Sequence, residues 1–90
     1  MPAYLAAIEV MLKPLVNDPQ GLAVLDGLKN LGFAGAERVR VGKRIEVTLE
    51  ASTTDDAEKA VTDMCRQLLA NPVIEDFRFG LTEAEVAAGD

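Results

Sequence analysis

Residues 4–13 alternate, with Ala6, Ile8, Val10 and Leu12 on one side and Leu5, Ala7, Glu9 and Met11 on the other, the period-two pattern of a strand. Both sides are largely apolar. A strand of this kind sits centrally in a sheet, or has its second face covered by something else, such as another subunit. Leu5, Ala7 and Met11 are therefore the expected contact between two copies of the chain.

Pro14 ends this strand, and Asp18-Pro19-Gln20-Gly21 is the sharpest local signal that follows. Asp18 can accept a hydrogen bond from a free amide of a first helical turn, and Pro19 suits the first helical position, where its missing N–H has no partner to lose. Val24, Leu25, Leu28 and Leu31 continue at helical spacing, and Gly32 supplies the left-handed residue that ends the helix. Phe33 and Leu28 then take the two positions that are joined in a Schellman cap.

From residue 37 to 50 alternation resumes, with Val39, Val41, Ile45, Val47 and Leu49 at odd positions and Arg38, Arg40, Arg44, Glu46 and Thr48 at even ones. The parity survives across Gly42. A hairpin with a three-residue loop at 42–44 preserves it, and so does one long strand bent at Gly42. The pattern is compatible with either.

Residues 52–56 favour a helix start, with Asp55 and Glu58 spaced as a capping box. Ala57, Ala60, Val61, Met64, Cys65 and Leu68 follow on one helical face, and Asn71-Pro72 stops it. Val73, Phe77, Phe79 and Leu81 alternate as a last strand, with Glu75 in their register marking its exposed end. Residues 82–90 are acidic and Ala-rich, and are expected to be a mobile tail with a frayed helical turn, outside a single domain of residues 1–81.

The predicted order is β-α-β-(β)-α-β, an α+β domain related to ferredoxin-like folds, with two helices covering one face of an antiparallel sheet. Its other face needs a partner. Size points the same way, because a chain of 90 residues buries only roughly 60–65% of its extended surface.

Composition narrows the chemistry. There is no His, which excludes a Ser-His-Asp triad, a Cys-His pair and a His-ligated metal. One cysteine permits neither an internal disulfide nor a multi-cysteine metal site, and fits a reducing, cytoplasmic setting. Cys65 falls in the apolar stripe of the second helix with no base beside it, as an inert thiol would. Asp55-Asp56 read as helix-start residues, and Glu75-Asp76 as strand neighbours facing opposite ways, so neither pair makes an acid–base or metal site. No catalytic, cofactor-binding or metal-ligating residue is expected.

Residues 3–8 form an apolar run too short to span a bilayer, and Met1-Pro2-Ala3 lacks the basic region of a signal peptide. The expectation is no membrane contact. Net charge is −6, which argues against generic nucleic-acid binding. Within that acidic balance Arg38, Arg40, Lys43 and Arg44 gather four of the nine basic residues. Gly42-Lys43-Arg44 is not a phosphate loop, since Glu37 stands where its first Gly belongs and Arg44 where Ser or Thr belongs. The cluster is either a solvated strand face or a docking surface for an acidic partner or phosphate. RNA is disfavoured because no aromatic residues interleave.

Leu12-Lys13-Pro14, Val16, Asp18-Pro19-Gln20-Gly21, Leu31-Gly32-Phe33, Val39-Arg40-Val41-Gly42-Lys43, Met64-Cys65 and the LLANPVIEDF segment at residues 68–77 occur in order. Together they resemble the PurS family, the small subunit of bacterial and archaeal phosphoribosylformylglycinamidine synthase, from residue 4 to 79. The resemblance implies a subunit with no active site of its own. It also implies dimers, possibly tetramers, that bridge a glutaminase subunit and a synthetase subunit and support ammonia transfer between them. ATP and Mg would be used by the complex and not bound by this chain. From a different class, an ACT-like module sensing small molecules between paired subunits shares the expected element order.

Overall fold

The computed structural model describes residues 1–84. Strand β1 (Ala3–Leu12) is followed by helix α1 (Pro19–Asn30), strand β2 (Gly42–Glu50), helix α2 (Thr54–Met64), a π-helical turn (Cys65–Leu69) and strand β3 (Glu75–Ala84). The sheet is antiparallel in the order β2-β1-β3, so the strand that is apolar on both sides is the central one.

Register carries the alternation across the sheet. Ile8 lies opposite Ile45 on one side and Phe79 on the other, and Ala6 lies opposite Val47 and Leu81. These residues share the face on which α2 packs: Ala6, Ile8 and Val10 are buried against Val61, Cys65 and Ala70. A second cluster of Tyr4, Ala51 and Ala57 closes the start of α2 onto the same face.

Thr53, not Asp55, caps α2: its hydroxyl accepts a hydrogen bond from the Asp56 N–H at 3.1 Å. Thr53 is extended (φ −139°, ψ 164°), as a cap must be, while Asp55 is already helical and places its charge in the first turn with Asp56. At its far end the helix widens, and the Ala70 N–H reaches the Cys65 carbonyl at 2.9 Å, spanning five residues. The additional residue in that turn delays the helical phase by one position. Leu68, expected on the apolar face, is consequently 83% exposed, and Leu69 packs against the core in its place.

Two segments depart from the expected strands. Residues 37–41 are neither the first arm of a hairpin nor part of a bent long strand: β2 starts at Gly42, opposite Met11. Beyond Met11 no β1 partner continues the ladder on that side, and the Val41 N–H goes to the Asp18 carboxylate. The optional fourth strand is therefore absent among the described residues. Residues 82–84, expected to open a helical tail, extend β3, with Thr82 opposite Leu5 and Ala84 opposite Ala3. The remainder of the expected tail, 85–90, lies outside the described residues. At its other end β3 begins at Glu75, because Asn71 organises a turn in which its side chain accepts from the Val73 N–H and its carbonyl from the Ile74 and Glu75 N–H groups.

Helix α1 obeys its sequence signals at both ends but not the expected layer. Asp18 caps it and Pro19 opens it. Gly32 (φ +100°) ends it in a Schellman cap, with Phe33 N–H to Leu28 O at 3.0 Å and Gly32 N–H to Lys29 O at 3.0 Å. Yet α1 supplies no residue to either buried cluster among the described residues, and Gly21 is its only buried position. Among the described residues, α2 and the π-helical turn that follows it fill the core face. The radius of gyration is 17.2 Å, against about 12 Å for a compact chain of this length.

Candidate interaction surfaces

The base of α1 is built from Asp18. One carboxylate oxygen accepts the Gly21 N–H at 2.9 Å, and the other accepts the Val41 N–H at 3.0 Å. A single side chain thus caps the helix and ties the chain leaving it to the chain entering it. These two backbone donors, Val41 first, together with the nearby Arg40 guanidinium, hold the Asp18 carboxyl below its ordinary value. Gly21 allows the close approach, since a Cβ there would overlap the Val39 carbonyl oxygen. Gly42 does the same on β2, where a Cβ would meet the Met11 sulfur. The Arg40 guanidinium donates to the Leu12 carbonyl, closing the clip from the other side.

The four basic residues are not brought onto one face. Arg40 is half-buried and turned inward in the clip. Arg44 lies opposite Glu9 and pairs along its own strand with Glu46 at 3.3 Å. Lys43, one position before it, lies opposite Val10 on the other face of the sheet. It borders a cleft of about 460 Å³ with Val10, Leu12, Asp18, Pro19, Val41 and Glu75. Arg38 is exposed beside α1, lining a smaller cleft with Leu22, Leu25 and Val39. No salt bridge engages Arg38 or Lys43 among the described residues.

Leu5, Ala7 and Met11 lie on the sheet face opposite α2 and are half-buried. Glu9 stands among them and pairs across the strands with Arg78 at 2.6 Å. The flanking positions are polar or small: Thr48 and Thr82 beside Leu5, Glu46 and Gly80 beside Ala7, Gly42 and Asp76 beside Met11. The apolar stripe is one strand wide.

The remaining polar candidates have structural partners. Glu75 accepts the Asn71 N–H at 2.7 Å, and Asp76 pairs with Lys13 at 2.7 Å. Cys65 is fully buried, and desolvation pushes its thiol up from its ordinary value. No group of three or more acidic or cysteine side chains among the described residues is placed to hold a metal ion. No helix among the described residues is long and apolar enough to cross a membrane. What the sequence reading missed is the second bond of Asp18, which no local pattern signals. It also missed the apolar surface left open on α1, at Leu22, Val24 and Leu31, and just past it at Phe33.

Comparison with known proteins agrees with this architecture. The family described as PurS, phosphoribosylformylglycinamidine (FGAM) synthase, matches residues 5–83. The phosphoribosylformylglycinamidine synthase subunit PurS of Synechocystis is 48% identical over 85 residues, covering 94% of this chain and 85% of that one. Its Bacillus subtilis namesake is 42% identical over 80 residues, covering 89% and 94%. Among solved structures, a chain in the structure of PurLQS from Thermotoga maritima superposes with a TM-score of 0.82 at 31% identity, covering 93% of this chain and 100% of that one. Bacillus subtilis PurS in its C2 crystal form gives 0.81 at 41% identity, covering 89% and 99%.

Proposed function

The chain belongs to the PurS family, and from that membership we propose how it serves phosphoribosylformylglycinamidine synthase in purine biosynthesis: as a noncatalytic subunit that joins the others. It bridges the glutaminase and synthetase subunits and supports passage of ammonia between them. That ammonia converts formylglycinamide ribonucleotide to formylglycinamidine ribonucleotide. The observation that carries this reading is the match, over nearly its whole length, to a chain solved within a PurLQS assembly.

The chemistry of the chain agrees. With no His anywhere, and with Glu75 and Asp76 held by structural partners, the acid–base work of an amidotransferase belongs to other chains. ATP and Mg are used by the synthetase subunit, and the complex works in the cytoplasm. What this chain contributes is shape: a rigid three-stranded sheet under α2, and a clipped α1 beside it. Arg38, Arg40, Lys43 and Arg44 are the candidate contact with acidic surfaces of the partner subunits, with Arg38 and Lys43 as its outward members. Leu5, Ala7 and Met11 are a contact between copies of the chain, through the backs of their sheets.

Reconstitution tests the reading. The purified chain alone shows neither glutaminase nor synthetase turnover, and adding it to the two partner subunits restores glutamine-dependent product formation. Partner subunits that turn over equally well without it, and that do not co-purify with it, overturn the assignment.

A further inference from the structure

The cleft of about 460 Å³ lies where all three strands meet the base of α1. Sites for small molecules run from about 300 to 1,000 Å³ and combine an apolar wall with a few convergent polar groups. This cleft has both. Val10, Leu12 and Val41 form its apolar part, and Asp18, Gln20, Lys43 and Glu75 bring polar groups from α1 and from the two outer strands.

The sheet register spaces the charges. Lys43 lies opposite Val10 on β2 and Glu75 opposite Leu12 on β3, so both stand on the same face of the sheet. Two strand spacings across and two residues along put their α-carbons about 12 Å apart. Between a cation and a carboxylate at that separation there is room for one small molecule lying over Leu12.

Each of these groups has capacity to spare. Lys43 is in no salt bridge among the described residues. One Glu75 oxygen accepts the Asn71 N–H, and the other has no partner among the described residues. Each Asp18 oxygen accepts one backbone N–H and retains a lone pair. The Gln20 N–H sits in the first turn of α1, where no intrahelical acceptor exists, and it has no backbone acceptor among the described residues.

Charge then selects the ligand. Lys43 shares the cleft with two carboxylates, and the Arg40 guanidinium is close to Asp18, so the charges of the site balance. A nucleotide would bring its phosphate charge to one free cation and two carboxylates, and a polyamine would be repelled by Lys43. A zwitterion is matched at both ends.

We propose that this cleft binds a free α-amino acid with an uncharged side chain. Its carboxylate is held by Lys43 Nζ and the Gln20 N–H, its ammonium group by Glu75 and Asp18, and its side chain lies against Val10, Leu12 and Val41. L-Glutamine meets these requirements, and Gln20, which lines the cleft, offers a carboxamide to pair with its own. The site goes beyond the family reading, and its occupancy is measured on this chain alone.

Calorimetric titration of the full chain with L-glutamine tests the site, alongside amide NMR spectra recorded at each addition. The expected result is saturable binding of one molecule per chain with a Kd of about 1 mM or tighter, with the largest shifts at Gln20, Gly42 and Lys43. L-Glutamate, which adds a negative charge, binds at least several-fold more weakly. Lys43→Met, and Glu75→Gln, which keeps an acceptor for the Asn71 N–H, each weaken binding roughly tenfold or more with unchanged circular dichroism. Absence of saturable heat and of amide shifts overturns the proposal. Binding that survives both variants undiminished overturns its placement in this cleft, and L-glutamate binding as tightly as L-glutamine overturns the charge balance. A chain that binds no glutamine yet restores turnover to the partner subunits loses this site and keeps the family reading. One that binds glutamine but restores nothing keeps the site and loses that reading.

Discussion

The carboxylate of Asp18 accepts a hydrogen bond from the backbone N–H of Val41, 23 residues further along the chain, at 3.0 Å. Its other oxygen caps the helix that begins at the next residue. One side chain thereby decides where α1 starts and ties the segment that enters the helix to the segment that returns to the sheet.

Because both bonds favour the ionised carboxylate, the folded-state value of Asp18 lies below the unfolded one. Its stabilisation is complete above the unfolded value of 3.8 and is lost as pH falls through the lower folded value. Asp18→Ala should lower the melting temperature by a few degrees at pH 7. The gap between wild type and variant should narrow only below the unfolded value. A gap that persists unchanged in acid would mean that the carboxylate charge contributes nothing.

Two glycines of α1 should respond in opposite directions. A Cβ at Gly21 meets the Val39 carbonyl and the Asp18 carboxylate, whereas one at Gly27 meets nothing within 4 Å. Gly21→Ala should cost about 1–3 kcal/mol by forcing backbone apart. Gly27→Ala should stabilise by roughly 0.5–1 kcal/mol through helix propensity. Denaturant titration of the two variants measures both, and equal signs refute the clip geometry.

The π-helical turn predicts a contrast between neighbours. Leu69→Ala should lose about 2 kcal/mol of core packing. Leu68→Ala, at an exposed position, should stay within about 0.5 kcal/mol of wild type. A regular α-helix through residue 69 reverses the order, so comparing the two unfolding midpoints tests the phase shift.

The basic residues should separate by role. Arg40→Glu removes the bond to Leu12 and should lower the melting temperature. Lys43→Glu and Arg38→Glu should leave it unchanged while weakening co-purification with the glutaminase and synthetase subunits at least several-fold. Unchanged assembly with all three variants would make the cluster a solvated surface.

Alternation and capping were legible because they depend on neighbours in the chain. Apolar residues on both sides of β1 pointed to a central strand or to a covered second face, and β1 is central, between β2 and β3. Asp18-Pro19 and Gly32-Phe33 marked both ends of α1, since each cap is closed by donors or acceptors within one turn. Residues 37–41 misled because their backbone is held at the base of α1, with the Val39 carbonyl close to Gly21 and the Val41 N–H on Asp18, and not in a strand ladder. Likewise Arg38, Arg40, Lys43 and Arg44 are adjacent in sequence but are distributed between a clip, two sheet faces and an exposed loop.

Sequence alone therefore determined the order of the main helices and strands, both ends of α1 and the absence of histidine chemistry, all properties of composition or of residues a few positions apart. Tertiary structure decided which helix covers the sheet, where α2 changes phase and which basic residues face outward. Those depend on bonds such as Asp18 to Val41, between segments that meet only once the chain has folded, and no periodicity along the chain records them.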